Sequence, residues 1–174
     1  MTVPPENIAV HPSTLELLLE CGTAFVNPGP LLEDISPELA TQAFPNSHNI
    51  ASIVWHMQYW QTWFFDNAEG RYRDYPKDNL ETFNGDITQE EWGGVRDGFL
   101  ERLATITALS QDVDFMNQAF TSGHPKTHEN THHRSKAEIM LYMVVLHNAH
   151  HYGQILSLRQ QAGAWPPAAG GMTL

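Results

Sequence analysis

An all-α fold, a four-helix bundle of long antiparallel helices, is what this sequence predicts, and three observations carry the prediction of the bundle. Apolar residues recur at the three- and four-residue spacing of helices in four long stretches. The alternating runs that mark strands are missing, and capping boxes stand ahead of three of the four stretches. With 174 residues, 41% of them hydrophobic, the chain is long enough to enclose one sizeable core, and a bundle is the natural way to pack four helices. The whole of 1–174 therefore reads as a single domain, with its core at about 10–166 and a flexible tail at 167–174.

The elements follow in order. Ser13-Thr-Leu-Glu16 is a capping box that opens a first helix with Leu15, Leu18, Leu19, Gly22 and Val26 on one face, and Asn27-Pro-Gly-Pro30 breaks or kinks it. Ser36-Pro37 opens a short extra helical segment near 37–43, with proline at its first position. A second long helix is expected from about His48 to Glu69, apolar almost all round and so enclosed by its neighbours. Residues 70–87, rich in Gly, Asp, Asn and Arg, read as a loop. Thr88-Gln-Glu-Glu91 caps a third long helix with Trp92, Val95, Phe99, Leu103 and Ile106 on one stripe, ending near Asn117. After a polar loop from Thr121 to Arg134, Ser135-Lys-Ala-Glu138 caps the last helix. It runs to about Gln161, and its apolar run predicts the most central of the four. Trp165-Pro-Pro cannot continue it.

Charge narrows the function. Nine Lys and Arg stand against twenty Asp and Glu, a net charge of -11, and residues 1–70 hold no Lys or Arg while carrying eight acids. A phosphate-binding surface needs clustered cations, so nucleic acid and anionic membranes are poor partners. The same lack of N-terminal cations argues against a secretory or transit leader, and no apolar run is long enough to span a bilayer. One cysteine, Cys21, forms no intramolecular disulfide, and a cytoplasmic location is the expectation. Cys21 lies off the apolar stripe and reads as a packed small side chain. Trp55, Trp60, Trp63 and Phe64 read as core.

Ten histidines are the anomaly. His147 and His151, four residues apart on the last helix, place two rings on one face, a geometry that can share one metal ion. A chain this rich in histidine produces such pairs by chance, and 124/128 and 128/132 are also present. Only 147/151 lies in a strongly apolar helix, where two imidazoles need something to satisfy their nitrogens. His56, mid-way along the second long helix on a stripe with Asn49, Trp60 and Trp63, is a third ring that a facing helix can supply. His150, three residues from His147, is a geometric alternative to His151 that spacing does not separate. Gln154 returns to the same face and could orient a ligand or bind substrate. His128-Glu-Asn-Thr-His132 has the form of a zinc peptidase motif, but that chemistry needs a helix. Here the segment, with His124 and His133, sits among loop-forming residues with no apolar face. No P-loop, dinucleotide-binding glycine pattern, serine-hydrolase elbow or paired helical E-x-x-H motif is found.

Asn49-Ile-Ala-Ser-Ile-Val-Trp-His56 and, more specifically, His147-Asn-Ala-His-His151-Tyr-Gly-Gln-Ile155 with Leu158-Arg159 and Ala164-Trp165-Pro166 resemble the DinB/YfiT-like family of metal-dependent proteins. The likeness extends, with a variable middle, from about residue 10 to 166. It implies a four-helix bundle in which a histidine triad, here His56, His147 and His151, binds a divalent metal, commonly nickel or zinc. His150 stands where many members carry tyrosine. The resemblance also implies activities such as thiol-dependent transfer or isomerisation with low-molecular-weight thiols. The expected function is thus a metal-dependent S-transferase or hydrolase with an open coordination position at a three-histidine site, working on a small-molecule substrate as a homodimer. A non-catalytic metal-binding or ligand-sensing bundle is the alternative, and a loop-based zinc peptidase the third.

Overall fold

The structure is a computed structural model that describes residues 10–20, 25–121, 134–168 and 170. Cys21, His124, His128, His132, His133 and the end of the tail lie outside the described residues. α1 (Pro12–Glu20) seats Leu15 and Leu19 in the core, on the stripe that the spacing predicts. Asn27-Pro-Gly-Pro30 is not merely a break. The Asn27 side chain accepts from the Gly29 N–H at 2.9 Å, and Pro28 at the first position presets the backbone, so the four residues open α2 (Pro28–Leu32). Ser36 caps α3 (Pro37–Thr41) in the same way, two residues shorter than expected.

α4 (Ile50–Ala68) begins where the Asn49 carboxamide accepts from the Ser52 N–H at 2.7 Å. It buries side chains on most of its circumference, which makes α4 the most enclosed helix. The last helix, expected in that place, leaves Tyr142 and Leu146 exposed. Trp60, Trp63 and Phe64 are core, but Trp55 is 39% exposed, because it points to the opposite side of the helix from the enclosed face. α5 (Trp92–Ser110) presents Trp92, Val95, Phe99, Leu103 and Ile106 to the interior as predicted. The Glu91 carboxylate does reach back to the Thr88 N–H (2.8 Å) and hydroxyl (3.0 Å), yet residues 89–91 form a turn and the helix opens at Trp92. It also stops early. The Asp112 carboxylate accepts from the Phe115 N–H at 2.9 Å and starts a separate short α6 (Val113–Met116).

α7 (136–161) is opened by a complete capping box. Ser135 Oγ accepts from the Glu138 N–H, and the Glu138 carboxylate accepts from the Ser135 N–H at 2.9 Å. The helix then passes from an α segment (Lys136–Met140) through a π-helical turn (Leu141–Leu146) into a second α segment (His147–Gln161). α1 packs on α5, α5 on α4, α4 on α7, and α7 back on α1, which closes a four-helix bundle. No strand occurs among the described residues, and none of their helices is long and apolar enough to cross a membrane.

Not all neighbours in the bundle are antiparallel. Leaving α4, the connection returns along it: Tyr75 packs on Trp60 and Trp63, Thr82 meets His56, and Phe83 stacks on His48, ahead of the helix. The Trp92 indole then donates to the Ile35 carbonyl beside α3, at the end of the bundle where α4 starts. α4 and α5 therefore run in the same direction, joined by a crossover that lies against the histidine-bearing half of α4.

Candidate metal centre

His56 is held mid-α4, 1% exposed, one turn before Trp60. His147 is the first residue after the π-helical turn, and His151 follows one α turn later. α4 and α7 pack together and bring the three rings to one point. His147 Nε2 lies 3.0 Å from His56 Nε2 and 3.0 Å from His151 Nε2. One nitrogen from each ring lies within 4.8 Å of the others, so the group could hold a metal ion, and among the described residues no carboxylate or thiol joins it.

Spacings of 3.0 Å are compatible with a shared cation and also with hydrogen bonding between neutral imidazoles. Tetrahedral zinc with Zn–N bonds of about 2.0–2.1 Å separates its ligand nitrogens by about 3.3 Å, close to the spacings found here. The Gln154 side-chain oxygen lies 2.7 Å from His151 Nδ1 and can only accept, so the ring proton sits on Nδ1 and the Nε2 lone pair faces His147. His56 Nδ1 lies 2.6 Å from Thr82 Oγ1. Buried His147 Nδ1 has no hydrogen-bond partner among the described residues.

Electrostatics keep the rings in the ligating form. Burial, then neighbouring His151 and His147, push the His56 pKa down to about 3. Burial, then His151 and His150, push His147 down to about 3. Burial lowers His151 to about 4 against the opposing hydrogen bond from Gln154. All three are neutral at pH 7, and neutral imidazole is the form that binds metal.

His150 is exposed on the flank of α7 with its ring centroid 5.0 Å from that of His151, outside the converging group. Gln154 orients a ring of the triad, one of the two roles its spacing suggests. Three residues that sequence reasoning passes over also surround the site. Phe83 stacks on His56 (centroids 3.7 Å apart, planes within 7°), His48 stacks on the other face of Phe83 (4.0 Å, 6°), and Thr82 meets His56. Thr82 and Phe83 lie in a stretch whose composition reads only as loop. Trp60 turns toward both His56 and His147 at centroid distances of 6.4 Å.

The family model described as the DinB superfamily matches residues 30–155, a span that contains all three histidines. No curated protein and no solved structure matches the chain.

Proposed function

Because the chain belongs to the DinB superfamily, we propose that it is a metal-dependent enzyme of the thiol-dependent S-transferase or hydrolase type, with one nickel or zinc ion on the Nε2 atoms of His56, His147 and His151. The observation that carries this reading is the convergence of one ring nitrogen from each of His56, His147 and His151 to within 4.8 Å of one another, with Gln154 hydrogen-bonded to the far nitrogen of His151. His56, His147 and His151 would hold a divalent cation, which would supply Lewis acidity there. The chain's own residues determine what else is favoured there. With neutral imidazoles and no carboxylate in the group, nothing in it would offset the charge of a dication, so an anionic partner such as a thiolate would be favoured there. Phe83, stacked on His56, and Trp60, set edge-on to it, surround that ring with aromatic carbon and leave it 1% exposed.

Metal analysis of untagged protein tests the reading. One equivalent of divalent metal per chain is expected, lost in His56→Ala, His147→Ala and His151→Ala and kept in His150→Ala. Metal retained by His151→Ala but lost from His150→Ala moves the site by one residue, and indifference to all four substitutions removes it.

A further inference from the structure

The crossover between α4 and α5 does more than connect them. At its inner turn the Asp78 carboxylate accepts from the Leu80 N–H at 2.9 Å and opens a single 3-10 turn, Asn79–Thr82. Thr82, at the end of that turn, is 1% exposed, so water does not compete for its hydroxyl. Thr82 Oγ1 has two partners: the Asn79 carbonyl oxygen at 2.5 Å and His56 Nδ1 at 2.6 Å. A carbonyl oxygen can only accept, so the single hydroxyl proton goes to Asn79, and toward His56 the threonine offers a lone pair. The ring must answer with an N–H at Nδ1. Its Nε2 is then the bare nitrogen, and Nε2 is the atom that faces His147. Phe83, the next residue, lies parallel to the imidazole, with His48 closing the stack, so ring plane and ring tautomer are both set from this one turn.

We infer that Thr82 is a positioning residue of the metal site, its hydroxyl holding His56 in the tautomer and orientation that aim Nε2 at the ion. The inference rests on the metal reading above and adds that the crossover is part of the site, contributing the partner of His56 as Gln154 does for His151. Asn79 matters only through its backbone carbonyl, which any residue supplies. Thr82 matters through a hydroxyl that, among the side chains of similar size, only threonine and serine provide.

The critical contrast is Thr82→Val against Thr82→Ser. Valine keeps the shape of threonine and removes the acceptor, leaving a buried Nδ1–H unpaired. The ring can relieve this by moving the proton to Nε2, into the place where the ion must bind. Zinc alone, titrated at pH 7.5 against a chelating dye, should bind Thr82→Val about 10–100-fold more weakly than wild type, the usual effect of removing the hydrogen-bond partner of a ligating histidine. Thr82→Ser should bind close to wild type, a rescue that a role in packing alone does not produce. A second readout needs no variant. Long-range proton–nitrogen NMR of the metal-free wild type should show His56 as the Nδ1–H tautomer. An Nε2–H tautomer overturns the inference, as does a folded Thr82→Val that binds zinc as tightly as wild type. If Thr82→Val fails to fold, the wild-type tautomer decides. Wild type that takes up no zinc overturns the metal reading itself, and the inference with it. Zinc uptake indifferent to the Val and Ser changes overturns the inference alone.

Discussion

Three imidazoles held neutral by burial give the metal-free protein a specific weakness to acid. In the unfolded chain each histidine titrates near its ordinary value of about 6.5. In the folded chain His56 and His147 titrate at about 3 and His151 at about 4. The folded values are the lower ones, so below pH 6.5 the unfolded chain binds more protons than the native one. The stability these residues hold is therefore full above pH 6.5 and is lost as pH falls toward 3–4. Each histidine contributes a slope of about 1.4 kcal/mol per pH unit inside that window. One unit into it, at pH 5.5, the three together remove about 4 kcal/mol, equivalent to about 10 °C in melting temperature for a chain of this size. Carboxylates titrate mostly below about pH 5, so the interval from 7.5 to 5.5 isolates the histidines. The assay is urea unfolding in chelator at both pH values, with His147→Leu as the comparison. Removing one of the three titrating rings should reduce the loss to about 3 kcal/mol. Equal losses in wild type and variant, or a wild type equally stable at both pH values, would refute the reasoning.

Other substitutions probe the frame around the site. Arg159, 1% exposed, donates to the carbonyls of Pro30, Leu31 and Ala164, so Arg159→Met leaves those acceptors short of a donor and should cost about 3 kcal/mol in urea unfolding. A loss well under 1 kcal/mol would show that these contacts contribute little. Ser135→Ala removes the cap that starts α7 and should lower stability by about 1 kcal/mol, measured by thermal melting, while Ser135→Asp should restore it. Changing His128 and His132 together to Ala should leave zinc stoichiometry and melting temperature unchanged, and loss of tightly bound metal would instead support the peptidase reading of that segment.

Much of this fold was legible because local chemistry sets it. Ser135 and Glu138 satisfy each other's backbone donors in the way their spacing advertises, and Trp92 to Ile106 form the buried stripe that a constant helical period predicts. His147 and His151 were legible as a pair because one α turn separates them and both lie beyond the π-helical turn. That turn itself was not. Leu141 to Leu146 are ordinary apolar residues, and nothing in them marks the change of helical period. The break at Asp112 was missed because an aspartate inside an apolar period reads as a surface residue until its carboxylate is seen capping Phe115. Thr82 and Phe83 were invisible for a different reason. They reach His56 across 26 and 27 residues through a polar connection, and no periodicity relates a loop residue to a helix face. The parallel course of α4 and α5 follows from the same connection, whose length between Ala68 and Trp92 suits a crossover rather than a tight hairpin.

The most direct test of the metal assignment is an anomalous-scattering measurement on crystals of untagged protein loaded with zinc, collected on both sides of the zinc absorption edge. One strong peak is expected, about 2.0–2.1 Å from Nε2 of each of His56, His147 and His151. A peak on any other set of side chains, or no peak among these three imidazoles, would contradict the assignment.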